Sequence, residues 1–284
     1  ANYTGNYGRI EVVNTGLIWG GTRSADFTNH GTSVNIITNR GLMDGNLLLG
    51  AGNDAYFGLG GEVRGLVDAG DGNDRLAPGL LAETMAGGAG QDTLDFTATS
   101  GVSVSLASLF AATGAALGDV YTGIENIDGS RTGGDRLGGD GAGNILRGLG
   151  GVDTLSGGAG GDVLEGGSAR DRLTGGAGND AFLFRARAEI GDMITDFTNA
   201  VGNNDVFRLE GSAFGFGSAT GDLAAGRFVI RSDNHAQQSH DRFIFRSTDT
   251  TLWFDSDGNG GVAPVLLADL QAGATLGLAD FVLI

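Results

Sequence analysis

The sequence predicts an all-β protein, a parallel β-roll or β-helix solenoid, on three observations. An Asp or Asn recurs every nine residues from Asp135 through Asn144, Asp153, Asp162 and Asp171 to Asp180. A large apolar residue stands two positions after each, namely Leu137, Leu146, Leu155, Leu164, Leu173 and Phe182. Glycine supplies 55 of the 284 residues against 2 prolines, and it gathers just upstream of the acidic positions, as in GGAGGDVLE (Gly157 to Glu165) and GGAGNDAFL (Gly175 to Leu183). A short fixed period is the mark of stacked, repeated coils. Glycine at this density without proline marks backbone positions that a Cβ would forbid.

Taken in order, residues 1–48 carry a looser repeat, NTGLIWG (Asn14 to Gly20) echoed by NRGLMDG (Asn39 to Gly45), with a partial copy at Asn29 to Gly31 that leaves His30 as a turn residue. Asn-x-Gly before two apolar residues reads as a tight turn feeding a strand, so these residues are expected to form β-helical coils. Residues 49–95 form a first array: Asp74, Glu83 and Asp92 are spaced by nine, with Leu76, Met85 and Leu94 in step. LGAGNDAYF (Leu49 to Phe57) belongs to it, although Asp54 precedes Asp74 by 20 residues, which breaks the register. Residues 96–128 lose the period and read as an insertion with alternating Val102, Val104 and Leu106, followed by YTGIENIDG. Residues 129–184 hold the second array, and residues 185–284 form a C-terminal cap of short aromatic strands such as RFIF (Arg242 to Phe245) and TLWF (Thr251 to Phe254).

Acidic residues outnumber basic ones 34 to 17, for a formal charge of −17, which disfavours nucleic acid and anionic membranes and favours cations as partners. Without cysteine there is neither a disulfide framework nor thiolate chemistry. No apolar run approaches the roughly 20 residues that span a bilayer, and no membrane span is expected. The start at Ala1 shows no signal-peptide pattern and no initiator Met, so a piece of a larger chain is expected.

Within a nonamer, G-G-x-G-x-D turns the chain and x-U-x makes a short strand with one apolar side chain directed inward. Two nonamers close one coil, so loops eighteen residues apart stack on the same edge. The expected ion rows are therefore Asp135, Asp153 and Asp171 on one edge and Asn144, Asp162 and Asp180 on the other, with Asp74, Asp92 and Asp54 from the first array. Backbone carbonyls complete the shell: Gly157 and Ala159 toward one ion, Gly158 and Gly160 toward its neighbour, and Gly175 and Ala177 from the next coil. An all-oxygen cage with flexible angles suits Ca²⁺ better than Mg²⁺, and several Ca²⁺ ions are expected. Glu83, in a loop without the usual glycines, is expected to hold none, and uncharged Asn144 to bind weakly; Ala169 stands at a glycine position before Asp171. One large apolar residue per nonamer is too little to offset the ordering of nine residues, so folding is expected to depend on calcium.

These residues resemble the G-G-x-G-x-D-x-U-x unit of the repeats-in-toxin (RTX), hemolysin-type calcium-binding family, over about Leu49 to Ile284. The resemblance implies a right-handed parallel β-roll, secretion to the extracellular space or cell surface, and the type I secretion machinery as partner. It also implies an export signal at the C terminus, where ADFVLI sets Asp280 before Phe281 to Ile284, and removal of these residues is expected to abolish export without affecting refolding. The alternatives are a calcium-dependent adhesin, a biofilm-matrix or surface-layer protein, or a module of a larger extracellular enzyme that binds cell-surface or extracellular polysaccharide.

Asp255, Asp257 and Asn259 in DSDGNGG resemble half of an EF-hand loop but lack the closing Glu, Leu266 standing in its place, so a further calcium site and an Asp-Gly turn are both open. His235 and His240 have no third zinc ligand nearby and read as a solvated loop. Trp253, Phe254 and the set Phe182, Phe184, Phe197 and Phe207 read as cap core in preference to a sugar-stacking platform. Neither H-E-x-x-H nor G-x-S-x-G occurs, and no enzymatic activity is expected.

Overall fold

The computed structural model describes residues 8–28, 31–108, 110–189 and 191–284. The partial repeat at Asn29 and the turn reading of His30 lie outside them. The described residues contain strands and two 3₁₀ turns, Gly114–Ala116 and Leu278–Asp280, with no α-helix among them. The chain divides into two compact units, Ala1–Arg131 and Thr132–Ile284.

In the first unit, one sheet runs in spatial order through Arg9–Asn14, Val34–Asn39, Ala55–Phe57, Arg75–Ala77, Thr93–Asp95 and Asn126–Asp128. A second runs through Leu17–Asp26, Leu42–Ala51, Leu66–Asp71, Thr84–Ala89 and Val120–Thr122. All these pairings are parallel, and the first sheet's register stacks like on like: Ile37, Tyr56, Leu76, Leu94 and Ile127 follow one another. Every one of these five is fully buried. The strands form because inward and outward positions alternate, as the burial of Val34–Asn39 shows residue by residue. Within the segment 96–128, the coil resumes at Val120–Thr122, which pairs with Thr84–Ala89.

The second unit repeats the pattern. Leu137, Leu155, Leu173 and Ile194 stack on one side. Leu146, Leu164, Phe182, Phe207 and Phe281 either stack in the same way or extend the column on the other. The cap grows from both columns. Val265–Leu270 adds to Asp192–Ile194, and the antiparallel strands Thr251–Phe254 and Phe243–Arg246 follow. Aromatic rings replace leucine here: Phe207 lies 5.1 Å from Phe197 and 5.4 Å from Phe281, and Phe243 lies 5.3 Å from Phe281, centroid to centroid. The phenylalanines singled out in the sequence are thus buried core, while Trp253 lies under Arg246 at 5.3 Å and donates its indole N–H to Thr251.

Candidate metal centre

The acidic residues stand in rows because the parallel register puts each coil's loop over the last. Asp153 Oδ1 accepts the backbone N–H of Asp135 at 2.7 Å, and Asp171 that of Asp153 at 2.8 Å. On the other edge, Asp162 accepts from Asn144 at 2.7 Å and Asp180 from Asp162 at 2.8 Å. In the first unit, Asp74 accepts from Asp54 at 2.7 Å and Asp92 from Asp74 at 2.8 Å. One oxygen of each carboxylate is thereby fixed. The other is not: Oδ2 of Asp54, Asp74, Asp92, Asp153, Asp162, Asp171 and Asp180 is buried and has no hydrogen-bond partner.

Each of these residues is at most 2% exposed. Burial drives their carboxyls upward against the pull of the amide donors, and neighbouring aspartates add to the rise at some. Asp74 and Asp153 are pushed up to about 7, and Asp162 and Asp171 to about 6. Seven buried oxygens with no proton donor are the arrangement a cation satisfies, because an unsatisfied buried acceptor is costly and an unpaired buried charge more so.

Glycine makes room for those oxygens. A Cβ on Gly157 would collide with Asp162 Oδ2 and with the carbonyl of Gly175. The same holds for Gly148 against Asp153 Oδ2 and the Gly166 carbonyl, and for Gly87 against Asp92 Oδ2 and the Gly123 carbonyl. Carboxylate oxygen and next-coil carbonyl thus meet at one point over the first glycine of the loop. Gly158 and Gly160 hold φ of 113° and 106°, a backbone that a Cβ would strain. Ala169 takes φ 95° at the equivalent place before Asp171, and Leu149 takes φ 72°, conformations that strain a side chain with a Cβ. Among the described residues no three His, Asp or Glu side chains converge on one point. A cation in these rows would be held by stacked carboxylates together with carbonyls, an all-oxygen set that fits calcium.

Among the carbonyl residues expected from sequence, Gly157 and Gly175 present their oxygens to the side-chain oxygens of Asn144 and Asp162, across the positions of Gly139 and Gly157. The oxygens of Gly158 and Gly160 press against Gly176 and Gly178 in the next coil. Ala159 pairs with Ala177, whose carbonyl accepts the N–H of Gly160 at 2.8 Å. The loop before Asn144 differs from its neighbours, since Asn144 Oδ1 accepts the N–H of Asp140 from its own loop at 2.8 Å.

Glu83 is built another way. The Tyr56 hydroxyl donates to its Oε1 at 2.6 Å and the Gly79 amide to its Oε2 at 2.9 Å, so both oxygens have protein donors. Asp119 takes the backbone N–H of Glu83 at 2.8 Å and the hydroxyl of Tyr121 at 2.5 Å. On this edge of the first unit, tyrosine hydroxyls stand where the other edge leaves oxygens bare. The loop of Asp255, Asp257 and Asn259 is separate from the rows. Asp255 Oδ1 caps the amides of Asp257 and Gly258 at 3.1 and 2.9 Å, which is the geometry of an Asx turn, while Asp257 Oδ1 is buried without a partner. His235 and His240 are exposed.

Several members of the rows were not foreseen, among them Glu125, whose Oε2 accepts the N–H of Asp92 at 2.8 Å. Asp192 accepts the N–H of Asp171 at 3.0 Å and Asp205 that of Asp180 at 3.1 Å, extending both rows of the second unit into the cap. At the start of the first unit, Asp54 Oδ1 accepts the N–H of Asn35 at 2.6 Å. Their signal is the surviving core of the nonamer, a side-chain oxygen two residues before a buried apolar residue: Asn35 and Ile37, Asp192 and Ile194, Asp205 and Phe207.

Parallel coils, glycine loops and ladders of half-satisfied aspartates define a β-roll with candidate cation sites between its coils. Comparison with known families gives the class its name: the model of the RTX calcium-binding nonapeptide repeat, in 4 copies, matches residues 137–170 and 147–182. Residues 137–182 thus carry RTX calcium-binding nonapeptide repeats, and Ca²⁺ is the ion that such repeats bind. No curated protein matches the chain.

Proposed function

We propose that this chain is a secreted, non-catalytic calcium-binding module that leaves the cell unfolded by type I export and folds when it meets calcium outside. The observation that carries the reading is the set of buried Oδ2 atoms, whose mutual repulsion and desolvation oppose the fold until a cation bridges the coils. Calcium sites of extracellular modules bind at about 10⁻⁴ to 10⁻³ M, which leaves them empty in cytosol and filled outside.

The strand Phe281–Leu283 supports the same order of events. Phe281–Leu283 is a strand paired with Val206–Leu209, and Asp280 accepts the amide of Gly277 at 2.7 Å. A signal in these residues is readable only before the cap closes. Because Phe281 is fully buried among aromatic rings, the expectation that removing Asp280 to Ile284 spares refolding does not hold: the truncation takes away part of the core. The experiment is circular dichroism of the full chain in chelator, titrated with calcium and, separately, with magnesium. A coil-to-β transition with calcium alone supports the reading; a chain already folded in chelator, or folded equally by magnesium, refutes it.

A further inference from the structure

We infer that the calcium row of the first unit begins one coil before the nonapeptide repeats, at a site closed by Asn35 Oδ1 and Asp54 Oδ2. The inference rests on the calcium reading above and adds to it a ligand that lies outside any repeat. Register supplies the first argument. Ile36 pairs with Ala55 as Ala55 pairs with Arg75, so Asn35 stands to Asp54 as Asp54 stands to Asp74. The amide bonds repeat as well, at 2.6 Å from Asn35 to Asp54 and 2.7 Å from Asp54 to Asp74.

The loops stack in the same columns. A Cβ on Gly90 would strike the carbonyl of Gly72, one on Gly72 that of Gly52, and one on Gly52 that of Ser33. Ser33, two residues before Asn35, therefore occupies the place that a glycine two residues before Asp holds in each later loop. No nonapeptide motif precedes Asn35 and Ser33 lacks the positive φ of Gly52, Gly72 and Gly90, yet its carbonyl stands in their column.

The side chain completes the argument. Asn35 is 1% exposed, and its Nδ2 donates to the carbonyls of Ser33 and Leu49 at 3.3 and 3.1 Å. Those two bonds fix the amide orientation, because a flip would set oxygen against two carbonyl oxygens. Oδ1 is left buried with no donor, as is Asp54 Oδ2 in the adjoining coil. Two bare acceptors from consecutive coils, one of them anionic, supply two of the roughly six to eight oxygens that calcium takes. With a single charge, this is the weakest site of its row.

The test counts ions on the full chain by equilibrium dialysis with radioactive calcium, comparing wild type, N35L and N35D. Loss of one bound ion in N35L is expected, with the remaining sites unchanged. N35D is expected to retain the ion and to bind it about tenfold more tightly, as ligand charge tunes such sites. N35D also guards against a misfolded N35L, since it keeps a side-chain oxygen at the same position. Equal stoichiometry in all three chains, or weaker calcium binding by N35D, overturns the inference and assigns the two oxygens to a bridging water. A wild-type chain that binds no calcium fails the broader reading instead, so the two failures are distinguishable.

Discussion

Asp171 accepts the backbone N–H of Asp153 through Oδ1 at 2.8 Å, while its Oδ2, buried beside Gly166, has no donor at all. One carboxylate thus does two jobs. Its first oxygen registers one coil on the next with an ordinary hydrogen bond, and its second is left bare, the place the calcium reading gives to an ion. The hydrogen bond alone does not stabilise the stack, because the charge on the second oxygen is desolvated.

Asp153→Asn separates the two jobs. The amide oxygen can still accept from Asp135, but the charge and one metal-binding oxygen are lost. The calcium concentration at half-folding is expected to rise by about tenfold, equivalent to about 1.4 kcal/mol. Calcium titration followed by circular dichroism checks this, and an unchanged midpoint counts against a ligand role for Asp153.

Gly157→Ala tests the cradle. The added methyl competes for the space that Asp162 Oδ2 and the Gly175 carbonyl share, and overpacking of this kind costs about 1 to 3 kcal/mol. Gly141→Ala is the control, because its Cβ meets nothing within 4 Å. Chemical denaturation in saturating calcium should destabilise the first variant and leave the second within about 0.5 kcal/mol of wild type.

How much of this was legible in the sequence depended on spacing. The rows of the second unit could be read from Asp135 to Asp180 because nothing interrupts the nine-residue count. Asp192 and Asp205 escaped because they follow their partners by 21 and 25 residues, a cap loop having been added to each half-coil. Asn35 escaped because its loop has no glycine pair, although Ser33 carries the same carbonyl position. The spacing of nine placed Glu83 between Asp74 and Asp92, but it could not show that a tyrosine from across the core, Tyr56, would reach it. That contact is tertiary, and no local pattern encodes it.

The tyrosine edge makes a prediction of its own. Tyr56→Phe leaves Glu83 Oε1 without its donor, in a side chain that burial already pushes up to about 7. A loss of about 1 to 3 kcal/mol is expected. The number of calcium ions bound should not change, so denaturation and dialysis on the same variant separate this staple from the ion sites.

Proton linkage follows from the raised carboxyls. With Asp74 and Asp153 near 7 and Asp162 and Asp171 near 6, the fold binds more protons than the unfolded chain between about pH 4 and 7. The calcium-free fold is therefore stabilised as pH falls through that window and loses this stability as pH rises through 6 to 7. Calcium needs the ionised form, so its affinity runs the opposite way and binding releases protons. Calorimetry at about pH 6.5 in two buffers of different ionisation enthalpy should give different heats, whereas equal heats would contradict the linkage.

The most direct measurement is anomalous diffraction from a crystal grown in calcium. Peaks are expected between stacked loops, within coordination distance of Asp162 Oδ2 and the Gly175 carbonyl and at the corresponding points along each row. Well-ordered loops with those oxygens bonded only to water, and no anomalous signal between coils, would contradict the account.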